Sequence, residues 1–319
     1  MLKVFNREAF QGNLAKRHYF EGWYFKHVSF DLENVYSFIP GVSLSKENPH
    51  AFIQIINGTT CKTQYIQYKL EEFYASKKDL YVKIGKSIFT DSGIKLNIDS
   101  DNMQIKGDVE YTGIVRYPKT IISPGIMGWY FYVPHMECNH GIVSINHNLI
   151  GSLNINGNRI DFTNGKGYIE KDWGTSFPSE WIWIHSNNFT KSNASLMISI
   201  ANIPWLKNYF IGFISFIYLN GKVYKFATYN KSKITKLCKN EDGITVIIEN
   251  KDYKMDVRVI MKKLGELLAP VKGDMSRRIK ESIDSEAFLK LHDRYGNLIY
   301  EDTGRRAGFE VIEKIFEHF

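Results

Sequence analysis

The feature that most constrains this chain is the recurrence of short strand patterns, each followed by a tight turn. Segments such as 79–89, 93–99 and 103–111 are rich in β-branched and aromatic residues, and several segments of this kind end at Gly, Asn or Asp. Asn156-Gly157 and Asn220-Gly221 are the dipeptides that two-residue hairpin turns favour. About fifteen such segments at intervals of roughly 8 to 12 residues predict an all-β fold of antiparallel sandwiches or barrels.

The length favours two domains. Fifteen strands are too many for one small barrel, and 319 residues are enough for two hydrophobic cores. The run Trp173-Gly-Thr-Ser-Phe-Pro-Ser-Glu180 is the most loop-like break near the middle. We therefore predict tandem β-domains at 1–178 and 179–319, with one short helix over residues 275–283.

Cysteine usage and hydropathy indicate the compartment. The three cysteines, Cys61, Cys138 and Cys238, are widely spaced and form no Cys-x-x-Cys pair, so neither a disulfide framework nor a zinc ribbon is indicated. The longest apolar stretch, 209–219, is too short for a membrane span, and charges interrupt the N-terminus where a signal peptide needs an apolar run. We expect a soluble cytoplasmic protein.

The positive charge is concentrated in one region. The formal net charge is +7, and residues 222–280 contain 15 Lys/Arg against 7 Asp/Glu. This excess is typical of a solvated face of alternating strands, and it also fits docking to an anionic membrane surface that stores an apolar substrate. We predict peripheral membrane contact and no nucleic-acid partner.

Several common catalytic signatures are missing. The sequence contains no Gly-x-Ser-x-Gly, no His-Glu-x-x-His, no phosphate loop and no Gly-x-Gly-x-x-Gly after a strand. Serine hydrolase, zinc protease, nucleotide-binding and dinucleotide-binding functions are therefore disfavoured, and no cofactor is predicted.

Chemistry-bearing residues are concentrated in two stretches, 125–147 and 165–183, and in Gly22-Trp-Tyr-Phe-Lys26 near the start. The runs Tyr168-Ile-Glu-Lys-Asp-Trp-Gly174 and Phe177-Pro-x-x-Trp-x-Trp183 are the most specific of these. Together the three blocks resemble the signature of the tocopherol cyclase family, which is related to the carotenoid-hydratase and lipocalin-type cyclase group. The resemblance extends over essentially the whole chain.

The resemblance implies a fold and an activity. The fold it implies is a tandem pair of lipocalin-like antiparallel β-barrels. The implied activity is closure of a chromanol ring, in which the trisubstituted alkene of a prenylated hydroquinone is protonated and the phenol oxygen captures the cation. The implied partner is an apolar small molecule.

The residues themselves suggest the acid. In a strand, Glu170 and Asp172 share one face, and Lys171 and Trp173 share the other. Repulsion between the two carboxyls, together with burial, raises the pKa of one partner, so an un-ionised carboxyl facing an aromatic chamber is a candidate proton donor. The alternative is structural: Glu170, Lys171 and Asp172 form a salt-bridged strand, and Asp172 caps the following turn.

Aromatic rings would stabilise the cation and hold the apolar tail. The predicted substrate-binding residues are Trp23, Tyr24, Lys26, Trp129, Glu137, Tyr168, Trp181, Trp183 and Asn187. Core packing is the alternative for Trp181 and Trp183, and a surface lysine with a packed stem is the alternative for Lys26.

Four residues raise the question of metal: His135, Glu137, His140 and His147. Strand alternation places His135 and Glu137 on the face opposite to His140, so we predict no metal site. A hydrogen-bonded polar cluster in which His140 orients the phenol is the preferred functional interpretation, and structural histidines are the alternative.

Three functions from different classes follow. The first is an acid-catalysed cyclase with Asp172, Glu170 and His140 as catalytic residues. The second is a non-catalytic carrier that holds an apolar ligand with the same aromatic residues. The third is a sugar-active enzyme, which ranks last because two carboxyls on one strand are close together, whereas glycosidases place them across a cleft.

Overall fold

The computed structural model describes residues 5–134, 136–205 and 208–319, and most of its regular structure is β-strand, which confirms the predicted all-β class. The first twelve strands form one antiparallel sheet: β1 (Tyr19–Val28), β2 (Val35–Leu44), β3 (His50–Asn57), β4 (Thr63–Tyr68), β5 (Phe73–Ala75), β6 (Tyr81–Ile84), β7 (Ser87–Thr90), β8 (Gly93–Ser100), β9 (Met103–Val115), β10 (Cys138–Ile155), β11 (Asn158–Asp161) and β12 (Lys166–Gly174).

The other ten strands form a second antiparallel sheet. They are β13 (Trp181–Ser186), β14 (Ala194–Trp205), β15 (Asn208–Leu219), β16 (Lys222–Ala227), β17 (Lys233–Asn240), β18 (Gly243–Glu249), β19 (Tyr253–Ile260), β20 (Gly265–Val271), β21 (Asp274–Asp293) and β22 (Leu298–Val311). Short 3-10 helices cover Leu70–Glu72, Gly128–Tyr132, Thr228–Asn230 and Glu313–His318.

Local turn chemistry explains the hairpins. At the β10–β11 turn Asn156 and Gly157 have φ of 51° and 84°, and at the β15–β16 turn Asn220 and Gly221 have φ of 46° and 92°. Two successive positive φ values match the twist of the flanking strands, and Asn followed by Gly tolerates them best. Both predicted hairpins are confirmed.

The predicted helix over residues 275–283 is wrong, because this segment is part of the long strand β21. Met275, Ile279 and Ile283 are spaced by four residues, which is compatible with one face of a helix and equally with one face of a strand. Pairing of β21 with β20 and β22 decides between the two.

Neither sheet closes into the predicted barrel. The first sheet runs in the order β4-β3-β2-β1-β12-β10-β9-β8-β7-β6-β5, and among the residues described no ladder joins its two edge strands. At the β4 edge, β20 packs beside β3 and β4 instead. The Gln54 side-chain amide accepts a 2.8 Å hydrogen bond from the Leu268 backbone N–H and donates a 3.2 Å bond to its carbonyl.

Contacts divide the chain into two compact units, Met1–Phe177 with Gly265–Ile279, and Pro178–Leu264 with Lys280–Phe319. The break after Phe177 falls within the loop over residues 173–180 that was chosen from the sequence. Residues 265–279, which the sequence placed in the second domain, group with the first unit. As a statement about domains, the division into 1–178 and 179–319 stays a prediction.

The first sheet curls so that one face of β1 becomes its interior. The Phe25 ring lies 5.4 Å from the Phe89 ring of β7, and His27 Nε2 lies 2.7 Å from the Tyr111 hydroxyl of β9. Between β1 and β9 the sheet contains two further strands, so this contact requires the face to be concave. Alternate residues of β1, such as Tyr24, lie on the convex face.

A buried ion pair fastens the residues before β1 to the sheet. Lys171 Nζ lies 2.6 Å from Glu21 Oε1, and the two side chains are 1% and 0% exposed. Lys171 also donates to the backbone carbonyls of Arg7 and Ala9 at 2.7 and 2.6 Å. Burial lowers the pKa of Lys171 to about 8, although Glu21 opposes this shift.

Candidate active site

Three ionisable side chains meet on the convex face of the first sheet. His140 Nδ1 lies 2.8 Å from Asp172 Oδ1, and His140 Nε2 lies 3.5 Å from Glu170 Oε2. The Tyr168 hydroxyl donates a 2.6 Å hydrogen bond to the same Glu170 oxygen. Asp172, His140, Glu170 and Tyr168 thus form one continuous row, which we call the acid–base cluster.

Strand alternation and register assemble the acid–base cluster. Tyr168, Glu170 and Asp172 are two residues apart in β12, so their side chains share a face, as the sequence predicted. His140 of β10 lies directly opposite Asp172 in the antiparallel ladder. The sequence stretches 125–147 and 165–183 therefore meet because their strands are neighbours.

His140 is the cation of the acid–base cluster. Burial would lower the pKa of its imidazole, but Asp172 and then Glu170 outweigh burial and raise the pKa to about 9. The imidazole is therefore protonated at neutral pH. Each carboxyl group therefore lies beside this positive charge as well as beside the other carboxyl group, an arrangement that the sequence did not reveal.

The Nε2 atom of His140 is the ring nitrogen that remains available for proton transfer. Asp172 holds Nδ1, which fixes the orientation of the ring. Nε2 is buried and forms no hydrogen bond with the residues that the structure describes, because the Glu170 oxygen 3.5 Å away makes only a long ion pair with it. A buried imidazolium N–H without an acceptor is costly unless something else, such as a substrate, accepts its hydrogen bond.

Stability is expected to depend on pH through His140. Its folded-state pKa of about 9 exceeds the ordinary value of 6.5, so its stabilisation is complete below pH 6.5 and is lost as pH rises through about 9. The shift corresponds to roughly 3 kcal/mol. Urea denaturation at several pH values, on wild type and His140→Gln, measures it.

The comparison of the wild type with His140→Gln isolates the contribution of His140 to the pH dependence of stability. Lys171 titrates in the same range with the opposite sign, because burial lowers its pKa to about 8 and the unfolded state then holds the proton more tightly. The wild type is expected to lose more stability than His140→Gln between pH 6.5 and 9. Parallel pH profiles for the two proteins would contradict the ion-pair geometry.

Two predicted residues of β1 lie beside the acid–base cluster. Tyr24 pairs with Glu170 and Lys26 pairs with Tyr168 across the β1–β12 ladder, so both share the convex face. Lys26 is 1% exposed, which excludes the alternative of a surface lysine. Burial, followed by Glu170, raises the pKa of Tyr168 well above its ordinary value, so its hydroxyl keeps its proton.

The segment before β10 contacts the acid–base cluster through Met127. This residue was not predicted from the sequence. The Met127 sulfur accepts a 3.1 Å hydrogen bond from the backbone N–H of His140. The available signal was its position between glycines in the 125–147 stretch. Glu137 is half-buried, which raises its pKa, and its backbone carbonyl accepts a 2.8 Å hydrogen bond from Thr175.

One predicted aromatic residue, Trp23, does not face the acid–base cluster, and a second, Trp129, lies in a 3-10 helix outside the sheet. Trp23 is fully buried on the concave face, and its indole N–H donates a 2.9 Å hydrogen bond to the Glu8 carbonyl. One step along a strand reverses the face, so Trp23 and Tyr24 cannot line the same site. Trp129 lies in the helix Gly128–Tyr132, stacks on Tyr130 at 4.2 Å and is 43% exposed.

Trp181, Trp183 and Asn187 belong to the second compact unit. All three are buried, and Trp181 donates a 2.6 Å hydrogen bond to Glu310. The hydrophobic core of this unit contains Ile182, whose side chain points to the opposite face of β13 from the two tryptophans. Trp181 and Trp183 are nevertheless among the buried hydrophobic residues of the chain, so core packing and substrate binding both stay open for them.

The two carboxyl groups do not face the aromatic interior of the first sheet, in contrast to the prediction from sequence. The concave interior of the first sheet contains Phe25, His27 and Phe89, whereas Glu170 and Asp172 lie on the convex face. The reason is the direction of the curl, which strand alternation alone cannot reveal. His147, whose pKa burial lowers well below 6.5, contacts Tyr111 in this interior.

One group of residues could hold a divalent cation. Ligand atoms of His140, Glu170 and Asp172 lie within 4.8 Å of one another, and one imidazole with two carboxylates is a common donor set. A cation bound through His140 would have to displace a proton of the imidazole. Asp172 and Glu170 raise the pKa of that imidazole, so they oppose its loss. Of the residues considered from sequence, His147 lies on the concave side and His135 lies outside the described residues.

Solved structures with related folds define the class. The crystal structure of CghA with Sch210972 has a TM-score of 0.58 at 10% identity and covers 92% of this chain and 88% of its own. Kievitone hydratase from Nectria haematococca has a TM-score of 0.51 at 9% identity, over 98% of this chain and 92% of its own. The chain is an all-β protein with the lipocalin-like fold of these structures.

Sequence comparison gives the family. The tocopherol cyclase-like family model matches residues 95–312, so the chain belongs to the tocopherol cyclase-like family. The probable chloroplastic tocopherol cyclase of Oryza sativa subsp. japonica is 24% identical over 193 residues, which is 57% of this chain and 40% of the rice protein. The chain thus matches well under half of the length of that relative.

Within the described residues, no helix has the length and apolar character needed to cross a membrane.

Proposed function

We propose that this protein is a cyclase that protonates the alkene of a prenylated quinol, or of a similar apolar substrate, and closes a ring through the phenol oxygen. The observation that carries the proposal is the buried imidazolium of His140, whose Nε2 forms no hydrogen bond with the described residues. In this reaction the alkene accepts that hydrogen as a proton.

The proton balance is closed within the acid–base cluster. His140 Nε2 gives a proton to one alkene carbon while the phenol oxygen forms a bond to the other, and the phenol proton returns to His140 as the ring closes. The product is an isomer of the substrate. A donor with a pKa of about 9 is weak, so proton transfer concerted with C–O bond formation is favoured over a free cation.

The carboxylates have a second task in this scheme. Positive charge develops on the alkene carbon in the transition state, and Glu170 and Asp172 place negative charge beside the donor. The rings of Tyr24 and Tyr168 lie on the same face and offer further stabilisation of the cation. Asp172 also holds the donor ring in place.

The carrier hypothesis is less well supported. A carrier gains nothing from three ionisable groups packed together in a buried place, because their desolvation costs stability. The rice relative bears the name probable tocopherol cyclase, and membership of the same family supports a cyclase over a carrier.

The experiment is turnover of a prenylated hydroquinone by the purified protein under anaerobic conditions. We expect a product of unchanged mass with a closed ring, and in D₂O one deuterium on the former alkene carbon. Glu170→Gln and Asp172→Asn should retain the ligand and the fold and lose at least about 100-fold in turnover. Bound but unchanged substrate in the wild type would support the carrier, and full turnover by both variants would remove the carboxylates from the mechanism.

A further inference from the structure

Two adjacent isoleucines form the tip of a tight turn between β9 and β10. Backbone hydrogen bonds of 2.8 Å from Thr120 N to Ser123 O and 3.2 Å from Ser123 N to Thr120 O close the turn. Ile121 and Ile122 at its tip are 80% and 79% exposed. Turn tips normally carry Gly, Asn, Asp or Ser, and solvent gives isoleucine no stabilisation there. We call residues 120–123 the isoleucine turn.

Exposed aromatic residues stand next to the isoleucine turn. Trp129 is 43% exposed and Tyr132 is 51% exposed. The Tyr132 hydroxyl donates a hydrogen bond to the backbone carbonyl of Ile121, which joins the helix Gly128–Tyr132 to the turn. Indole and phenol rings prefer the boundary between lipid headgroups and acyl chains, whereas aliphatic side chains prefer the acyl region.

The sequence segment that contains the isoleucine turn carries charge of one sign. Residues 116–134 contain Arg116 and Lys119 and no acidic residue. Both cations pair with acidic side chains elsewhere in the first unit, Arg116 with Asp91 and Lys119 with Glu8, and their own side chains are 49% and 27% exposed. Partly exposed cations beside an apolar tip complement anionic lipid headgroups.

The shape of the isoleucine turn favours a bilayer over a folded protein as the binding partner. A stable protein interface buries about 800 Å² on each side, which requires a broad complementary surface. The isoleucine turn is instead a two-residue tip with aromatic residues at its base. A fluid acyl layer admits such a tip without a preformed pocket.

We propose that the isoleucine turn docks this protein on an anionic lipid surface, with Ile121 and Ile122 among the acyl chains and Trp129 and Tyr132 at headgroup level. The connection between β9 and β10 that contains this turn also contacts the acid–base cluster, because the Met127 sulfur accepts a hydrogen bond from the His140 backbone N–H. Docking therefore places the candidate active site next to a lipid phase. The proposal rests on the exposure and charge of this loop and holds whatever reaction the protein catalyses.

The test is binding of the full chain to phosphatidylcholine vesicles, with and without phosphatidylglycerol, measured by co-sedimentation. The wild type should bind the anionic vesicles, and the double variant I121S/I122S should bind at least about tenfold more weakly. The matched control is Phe30→Ser, which removes a side chain that is 75% exposed on the β1–β2 connection. Thermal unfolding of both variants should match the wild type, because the replaced side chains are already in solvent.

Tryptophan fluorescence gives a second readout. Trp129 is the most exposed of the tryptophans whose exposure is described, so anionic vesicles should shift the emission of the wild type to the blue and leave Trp129→Phe unchanged. Absence of vesicle binding by the wild type, or equal binding by I121S/I122S, would overturn the proposal. Self-association in the ultracentrifuge without lipid, abolished by I121S/I122S, would overturn it in favour of a second copy of the chain.

Discussion

Replacing His140 with glutamine is expected to reduce turnover of a prenylated hydroquinone by about 10²- to 10⁴-fold. Glutamine can still donate a hydrogen bond to Asp172, but it has no proton to give at the position of Nε2. The effect should appear in kcat rather than in KM, because the proton is transferred only in the reacting complex. Single-turnover measurements with product analysis test this expectation.

The matched control is His50→Gln. His50 is also buried in the first unit, where its ring bonds to the Tyr65 hydroxyl and the Asn48 carbonyl, away from the acid–base cluster. Its replacement should leave kcat within a factor of about three of the wild type. A His140→Gln enzyme that turns over as fast as His50→Gln would exclude His140 as the proton donor.

The pH profile separates a catalytic from a structural role. The protonated imidazole is the active form, so wild-type kcat should be constant at neutral pH and fall as pH rises through about 9. The residual activity of His140→Gln should lack this limb. If the variant loses activity but keeps the same limb, the titrating group is a different residue.

Replacing Lys171 with methionine is expected to destabilise the first unit by about 3–5 kcal/mol. The carboxylate of Glu21 is 0% exposed and would lose its cation, while the carbonyls of Arg7 and Ala9 would lose a donor. Glu21 also accepts a hydrogen bond from the backbone N–H of Gln11 and is fully buried, so water does not replace the lost cation. Urea denaturation measures the change.

Two further variants show whether the charge is responsible. Adding Glu21→Gln to Lys171→Met removes the orphaned charge and keeps a hydrogen-bond acceptor, so the double variant should recover much of the lost stability. Lys290→Met breaks the exposed pair with Glu301 and should shift the midpoint little. A Lys171→Met protein as stable as Lys290→Met would show that the buried pair contributes nothing.

Local sequence patterns predicted much of the fold because strands and hairpins are encoded by neighbouring residues. The Asn-Gly turns are of this kind, since the left-handed conformations at Asn156 and Gly157 follow from those two residues alone. Residues 275–283 show the limit. Their apolar spacing of four satisfies both helix and strand, and only the ladders with β20 and β22 distinguish them.

The candidate active site was predictable in part. The period of two placed Glu170 and Asp172 on one face from sequence alone. His140 reaches Asp172 across 32 positions of the chain, through the pairing of β10 with β12, and no local signal encodes that register. The protonated state of His140 follows from this pairing.

The sequence by itself determined the β-class, the turn positions and the three blocks that carry the family signature, because each depends on residues close together along the chain. The tertiary structure alone decided which strands are neighbours, which face of β1 is concave, and that a histidine lies between the two carboxylates. Those outcomes depend on long-range pairing and on the curl of the sheet, in which a shift of one residue exchanges the two faces.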